Sequence, residues 1–565
     1  MKTLSRVACA ALLVSGGFDC VVLGVAAILC LASGNFARAD EITRKRPMAL
    51  LIMLDGLRAD GIGNACTPNI DRLIGGRWMP GYECAWSMSG RTIADAAPNS
   101  APNHTSIATG VDAAKHGVSG NGRTKLGNYA DYPTWLTRVT EADRSRRGLY
   151  IFSWREDADC AVGKSVRVIN DTDENNARTL PKILAGDDAP DATLYYVDLP
   201  DHVGHTFGFY PSGVSYLNAI WKSDRYVGAA LDAIASRKTF EDEDWLIMIT
   251  SDHGGYARSH GRWGGQCSTI PVILSGRHIR SGRLAGRPAH YDLTATALAH
   301  FGLDVAAMNL DGHVLTEAEK ARPMRVLSDE LKVYLAFDGK TPVNAVKDGP
   351  VPEIFGTNAV VDAKSGLVGG GLHLGGHGGL RLKGSEGLAF EHGTDFTMSV
   401  WVRLPQQQGD APIVANKDWR RGRTPGVILF ANGKVDRTGP GVCFNAAVGG
   451  KRSRIDMGTC VGDQGQWAFY AVTHDDKGVM TLYHGAPDGR FYWLCDEARD
   501  LVLKALPFHL GQDGTGNYTH ALCGDLDEFA LWTRCLDGDE VKFVFESTRR
   551  GCCATRWDPM DGKCR

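Results

Sequence analysis

The sequence lacks the charge excess and the cysteine spacing that mark several protein classes. Its 565 residues carry 62 Lys and Arg against 65 Asp and Glu. The resulting net charge of −3 argues against a basic surface that binds duplex nucleic acid. None of its 15 cysteines shows the paired CxxC spacing of a zinc finger. Beyond the N-terminus no apolar run is long enough to cross a bilayer. These absences favour a globular chain, and its length favours two or more domains.

The first 39 residues have the features of an export signal. Lys2 and Arg6 precede an apolar run, Cys20–Ser33 extends that run, and "ARA" before Asp40 has the form of a cleavage site. A retained membrane anchor is the alternative. We therefore expect a signal peptide over 1–39 and a protein that is secreted, periplasmic or associated with the cell surface. Export in turn predicts disulfide bonds among the cysteines.

The pattern of the chain changes near residue 330. Before it, apolar runs of strand length alternate with helical segments, among them a long apolar-faced helix over 215–235. That alternation predicts an α/β domain with a mostly parallel sheet. After it, short period-two runs lie between Gly-rich turns and predict an antiparallel sandwich. The predicted domains are 45–330 and 331–550, followed by a cysteine-containing tail over 551–565.

Acids and histidines follow three of the predicted strands. "LIML" leads into Asp55, "LYYVDLP" into Asp201 and His205, and "LIMIT" into Asp252, with histidines at 253 and 260. Each of these residues, taken alone, is typical of a helix cap or of a solvated loop. Ligands gather at the carboxyl ends of strands in such sheets, and carboxylates crowded there repel unless a cation neutralises them. Mixed Asp and His donors suit zinc, and more than four of them suggest two metals.

The motifs that carry these residues resemble those of a known superfamily. "LDGLRAD", "NSAPNHTSIATGVDAAKHGVSGN", "DLPDHVGHTFG" and "TSDHGGYARSHG" occur in the order typical of the alkaline phosphatase superfamily. The chain is most similar to its type I phosphodiesterase and nucleotide pyrophosphatase branch, over roughly 48–303. The resemblance implies an alkaline phosphatase-like α/β/α sandwich and a metal-dependent phosphoric ester hydrolase with two Zn²⁺ per chain.

The resemblance also implies a role for each matching residue. Ser100 would be the nucleophile, forming a phosphoseryl intermediate, and Asn121 would hold a phosphoryl oxygen together with backbone amides near Ala101. The third ligand of the second zinc is open between His260 and His290, with His260 favoured. The implied metal ligands are, for one zinc, Asp55, Ser100, Asp252 and His253, and for the other, Asp201, His205 and His260.

Three other histidines and an aromatic group have competing interpretations. His104 and His116 fit local turn or core hydrogen bonds better than metal ligation, and the side chain of His202 is expected to point away from the site. Trp78, Tyr82 and Trp86 form either a substrate wall or an ordinary packed hairpin.

The second half resembles the laminin G-like or concanavalin-like jelly roll over about 333–546, on segments such as "FTMSVWVRL" and "CGDLDEFALWTRCL". The resemblance implies a glycan or cell-surface ligand for this domain, and a Ca²⁺ site as a further expectation. Asp525 and Asp527 have a structural interpretation that we favour over metal binding. The resulting prediction is an exported two-zinc phosphodiesterase. A phosphomonoesterase, a sulfatase, and a glycan- or surface-binding protein with an inactive metal domain are the alternatives.

Overall fold

A computed structural model describes residues 45–160, 162–211, 213–261, 265–315, 325–405, 408–432, 441–448, 454–460, 465–503, 506–550, 557–558 and 563–564. The predicted signal peptide and most of the predicted tail lie outside these ranges. No helix within them has the length and apolar character that crossing a membrane requires.

The first domain is built on an eight-stranded sheet. Its central strands, β5, β1 and β6, are parallel, whereas β7 runs antiparallel to both of its neighbours, β6 and β2. The sheet order is β4-β3-β5-β1-β6-β7-β2-β8. Its strands are β1 (Arg46–Leu54), β2 (Glu83–Arg91), β3 (Gly148–Phe152), β4 (Val166–Asn170), β5 (Ala192–Val197), β6 (Glu243–Thr250), β7 (Thr269–Gly276) and β8 (Gly282–Arg283).

Helices cover both faces of this sheet. Alternate residues of β1, such as Leu50 and Leu51, enter two separate apolar cores, one on each side. Because both faces are buried, these strands are continuously apolar. The α-helices of the described ranges are α1 (Ala59–Ile62), α2 (Pro68–Ile74), α3 (Ser100–Thr109), α4 (Ala113–His116), α5 (Trp135–Ala142), α6 (Asp173–Ala185), α7 (Leu199–Phe207), α8 (Val214–Ala235), α9 (Gly265–Ser268), α10 (Asp292–His300) and, in the second domain, α11 (Gly538–Arg549).

The second domain is a sandwich of two mainly antiparallel sheets. The first has the order β10-β13-β22-β15-β16-β17-β18, and the second has the order β11-β12-β23-β14-β19-β20-β21 with β9 paired to β23. The strands are β9 (Leu331–Leu335), β10 (Val351–Gly356), β11 (Ala359–Asp362), β12 (Gly371–Gly375), β13 (Gly378–Lys383), β14 (Phe396–Arg403), β15 (Ala411–Ala415), β16 (Val427–Asn432), β17 (Gly441–Ala447), β18 (Arg454–Cys460), β19 (Trp467–His474), β20 (Val479–Gly485), β21 (Phe491–Glu497), β22 (His509–Leu510) and β23 (Cys523–Trp532). A further pair, β24 (Trp557–Asp558) and β25 (Lys563–Cys564), lies in the tail.

Strand periodicity explains the sandwich. On β16, Val427 and Leu429 enter the core between the sheets, whereas Ile428 and Phe430 form a separate cluster on the opposite face. A period of two directs alternate side chains to opposite faces, so the seven-stranded sheet also has an apolar outer face. The predicted fold class, α/β followed by an all-β jelly-roll-like sandwich, is confirmed.

Two details refine the sequence interpretation. Trp78 and Tyr82 are buried and pack edge-to-face at 4.8 Å between ring centroids, which agrees with the packed alternative rather than a substrate wall. Six cysteines of the described part are free thiols, at positions 66, 84, 160, 495, 523 and 535. The disulfide prediction stays a prediction for the other cysteines.

Candidate active site

Ser100 opens helix α3 and lies almost completely buried at the edge of the sheet. The preceding residue, Asn99, has an extended backbone, so the helix begins sharply at the serine. The N-terminal end of a helix carries a partial positive charge that favours a developing anion. The Ser100 hydroxyl lies 3.2 Å from Nε2 of His253.

The carboxylates reach this serine because three adjacent strands end beside it. Strands β5, β1 and β6 are neighbours in the sheet, and their carboxyl ends lie side by side. Asp55 directly follows β1, Asp252 follows β6 by one residue, and Asp201 lies in the first turn of α7 just after β5. Buried and close together, they form an anionic cluster.

Three histidines share one arrangement in this cluster. Nδ1 of His205 lies 2.9 Å from the Arg258 carbonyl oxygen, Nδ1 of His253 lies 2.8 Å from that of Gly254, and Nδ1 of His260 lies 3.2 Å from that of Pro98. A carbonyl can only accept, so each Nδ1 is the donor.

In the neutral ring, Nε2 then carries the lone pair, which is the usual arrangement of a metal-ligating histidine. All three Nε2 atoms face carboxylates. That of His205 is 3.3 Å from Asp201 Oδ2, that of His260 is 3.9 Å from Asp201 Oδ1, and that of His253 is 3.2 Å from Asp252 Oδ2.

The buried carboxylates of the cluster favour binding of a cation. Burial, together with the charges of Asp252 and Asp201, raises the pKa of Asp55 well above its ordinary value. Burial alone would raise the pKa of Asp252 as well, but His253 and His104 lower it well below the ordinary range. Oδ1 of Asp55 and Oδ1 of Asp201 are buried without a hydrogen-bond donor. Two orphaned carboxylate oxygens beside imidazole lone pairs fit a divalent metal ion.

The structure brings all the predicted ligands together, but it does not separate them into the two predicted sets. Donor atoms of Asp201, His253 and His260 lie within 4.8 Å of one another, although His253 was predicted for the other zinc. The rings of His253 and His260 stack at 3.9 Å between centroids. The two predicted metal sites are therefore contiguous and meet at these rings.

His104 makes core hydrogen bonds, one of the two alternatives inferred from the sequence, and its partners are carboxylates of the site. Its Nε2 lies 3.1 Å from Asp252 Oδ2 and 3.4 Å from Asp55 Oδ2, while its Nδ1 lies 2.9 Å from Asp157 Oδ1. These buried carboxylates raise its pKa well above the ordinary value although burial opposes the shift. No motif links positions 104 and 157, so only the fold reveals the contact.

Other positions follow the expectation more closely. His116 makes a core hydrogen bond, with Nε2 2.9 Å from the Ser106 hydroxyl. Nε2 of His290 lies 2.7 Å from Asn103 Oδ1, which places it away from the carboxylates that surround His260.

Asn121 lies beside the nucleophile in a way the sequence did not anticipate. Its Oδ1 accepts a hydrogen bond of 3.0 Å from the Ala101 amide. That amide is therefore engaged in this structure, and the Nδ2 group of Asn121 is the donor left to face a substrate. The next turn is held by Glu156, whose Oε1 accepts from the amides of Gly122 at 2.6 Å and Arg123 at 3.1 Å.

In the second domain, Asp525 has the structural role that we favoured. Its two oxygens lie 2.8 Å from His373 Nδ1 and 3.0 Å from Arg403 Nε. Asp527 accepts a 2.8 Å hydrogen bond from the Leu367 amide. Both carboxylates therefore accept hydrogen bonds from other segments of the second domain.

Comparison with known proteins finds a family model that matches part of each half. Residues 49–260 match the type I phosphodiesterase / nucleotide pyrophosphatase family. Residues 374–542 match the concanavalin A-like lectin/glucanases superfamily. Both resemblances inferred from the sequence are confirmed. No curated protein has a significant sequence match to this chain.

Solved structures similar to the chain include proteins that resemble each half. Murine ectonucleotide pyrophosphatase / phosphodiesterase 5, in an inactive form with AMP, is 14% identical over 46% of this chain and 96% of its own, with a TM-score of 0.34. A protein of the alkaline phosphatase superfamily from Vibrio parahaemolyticus is 15% identical over 51% and 76%, with a TM-score of 0.36. Domain 4 of AbnA, a GH43 extracellular arabinanase from Geobacillus stearothermophilus, in complex with arabinotriose, is 16% identical over 38% and 97%, with a TM-score of 0.29.

Proposed function

We propose that this chain, whose first domain is of the type I phosphodiesterase / nucleotide pyrophosphatase type, is an exported hydrolase that cleaves phosphodiesters at a two-zinc centre. Ser100 is the nucleophile and forms a phosphoseryl intermediate. The observation that supports this most strongly is the common arrangement of three histidines, each with Nδ1 tied to a backbone carbonyl and Nε2 facing a carboxylate.

In this proposal the donors are shared between two zinc ions. Asp55, Asp252, His253 and the Ser100 oxygen would hold one ion, and Asp201, His205 and His260 the other. When bound, the ions lower the pKa of the serine hydroxyl and of a water, and offset the negative charge of the reacting oxygens.

The residues of the chain supply position and charge. Ser100 Oγ forms a bond to phosphorus as the bond to the leaving oxygen breaks, and water then attacks the phosphoserine to restore the hydroxyl. The Nδ2 group of Asn121 donates to a phosphoryl oxygen, and the N-terminal end of α3 stabilises the added negative charge. Burial of Ser100 excludes bulk water from this step.

Two further parts of the proposal rest on the sequence. The basic start and apolar run of 1–39 support export, and hence a secreted, periplasmic or surface location. The sandwich supports a glycan or cell-surface ligand for the second domain, because it belongs to the concanavalin A-like lectin/glucanases superfamily.

The test is a comparison of kcat/KM for the zinc-loaded protein on bis-p-nitrophenyl phosphate and on p-nitrophenyl phosphate. A preference for the diester supports the proposal, whereas a preference for the monoester identifies a phosphomonoesterase. Hydrolysis of p-nitrophenyl sulfate alone would identify a sulfatase. Zinc-loaded protein that hydrolyses none of the three contradicts the enzyme assignment and favours a binding protein.

A further inference from the structure

One loop, residues 253–261, supports the three histidines that are predicted zinc ligands. His253 and His260 lie at its two ends, and the Arg258 carbonyl between them accepts the hydrogen bond from His205 Nδ1. A shift of this loop would therefore move three imidazole rings together, including one that belongs to a different helix.

One residue of the loop has a left-handed backbone. Ala257 has a φ of +56°, which is uncommon for residues other than glycine, and it lies in a turn closed by reciprocal backbone hydrogen bonds between Tyr256 and Ser259. Two contacts from the rest of the first domain hold this loop. The Phe209 amide donates to the Ala257 carbonyl at 2.7 Å, and the Gly254 amide donates to that of Cys267 at 2.8 Å.

A third contact comes from the second domain. The side chain of Tyr256, next to Ala257, packs against the cluster on the outer face of the seven-stranded sheet. The buried members of this outer-face cluster are Ala415, Trp419, Ile428, Phe430 and Cys443. These residues follow Tyr256 by more than 150 positions, so the sandwich supports the loop from outside the first domain.

Hydrogen bonds also join the two domains where the loop returns to the sheet of the first domain. Gln266 Nε2 donates to the Gly458 carbonyl at 2.9 Å in a buried contact. Thr269 and Cys495 form a reciprocal pair, in which the threonine hydroxyl donates to the Cys495 carbonyl at 2.8 Å and accepts from its amide at 3.1 Å. The position of the sandwich is thereby tied to the segment that follows the loop.

We propose that the sandwich is a structural part of the metal centre, and that Tyr256 is the positioning residue through which its outer-face cluster holds the loop in place for zinc binding. The inference rests on the proposed function in taking these histidines as zinc ligands. It assigns the second domain a role besides any glycan binding, and it makes the affinity for zinc depend on residues that touch neither metal nor substrate.

The test measures zinc affinity of the full-length protein by competition with a chromophoric chelator, and the absorption spectrum of the cobalt-substituted protein. Tyr256→Ser removes the tyrosine ring of the loop, and Phe430→Ala removes a phenylalanine ring of the outer-face cluster. Loss of an outer support of a metal site weakens metal binding roughly 10- to 100-fold. We therefore expect the affinity for zinc to fall at least about tenfold in both variants, and the cobalt spectrum to change.

Two matched variants separate positioning from general destabilisation. Tyr256→Phe keeps the ring and should retain wild-type affinity. Leu429→Ala, on the same strand as Phe430 but facing the core between the sheets, should leave zinc affinity unchanged although it destabilises the sandwich.

Unchanged affinity in Phe430→Ala, or an equal loss in Leu429→Ala, would overturn the inference. Should Phe430→Ala fail to fold, Tyr256→Ser against Tyr256→Phe decides, and equal affinities would overturn it. A wild-type protein that binds zinc but hydrolyses no ester contradicts the proposed function and leaves this comparison valid. An active wild type with unaffected variants contradicts only the inference.

Discussion

Replacing Ser100 with alanine separates a nucleophile from a residue of structural importance. The hydroxyl has one close side-chain contact, 3.2 Å from His253 Nε2, and the position starts a helix in which alanine is well tolerated. Loss of one such hydrogen bond costs about 1 kcal/mol, which corresponds to a shift of the melting temperature of roughly 2–4 °C in a domain of this size.

The effect on turnover should be far larger. Removal of a nucleophilic serine lowers kcat by roughly 10⁴- to 10⁶-fold where it has been isolated. We therefore expect Ser100→Ala to lose at least about 10³-fold of kcat on bis-p-nitrophenyl phosphate. The variant should keep its zinc, because Asp55, Asp252 and His253 remain as ligands of that ion, and almost all of its stability. The assay combines steady-state kinetics, zinc content and thermal unfolding on one preparation.

Ser106→Ala is the matched control. Its hydroxyl also lies close to an imidazole, 2.9 Å from His116 Nε2, and it is buried in the same helix, α3. This variant should lose similar stability and no activity. The reasoning is refuted if Ser100→Ala keeps its activity, or if its activity falls only as far as its zinc content does.

Three further changes test other parts of the molecule. Asn121→Ala should lower kcat about 10²-fold at unchanged zinc content, since it removes the donor to a phosphoryl oxygen; an unchanged kcat would exclude that role. His104→Ala should weaken zinc binding roughly tenfold in a chelator titration, because His104 contacts Asp55 and Asp252. In the sandwich, burial raises the pKa of Glu528 to about 8, with Asp527 adding to the shift. The pKa of Glu528 is therefore higher in the folded than in the unfolded state. Its contribution to the free energy of unfolding is fully present below about pH 4.5 and is lost as the pH rises through 8, by at most about 5 kcal/mol. Urea unfolding of Glu528→Gln should show a flatter pH dependence than the wild type.

The sequence predicted those features that depend on local pattern and chain order. Continuous apolar runs gave the central strands because both faces of β5, β1 and β6 are covered, and period-two runs gave the sandwich. The positions of Asp55, Asp201 and Asp252 could be placed at one edge because each follows a parallel strand directly. The family resemblance of the first half was also evident from motifs read in order.

Other features lie beyond local pattern. His104 was expected to make local turn or core hydrogen bonds, but its partner Asp157, which is 53 positions away, could not be identified. Asn121 and the amides near Ala101 were expected to hold a phosphoryl oxygen together, whereas the Ala101 amide donates to Asn121. His253 and His260 were assigned to different zinc ions, whereas their rings stack on one another.

The sequence by itself thus determined which residue types stand at strand ends and which halves of the chain form which kind of sheet. Only the tertiary structure decided which imidazole faces which carboxylate, and that the loop of Tyr256 packs against the outer-face cluster of the other domain. The physical reason is that periodicity and motif order record how a segment is buried, whereas contacts between distant segments depend on how sheets and loops pack in three dimensions.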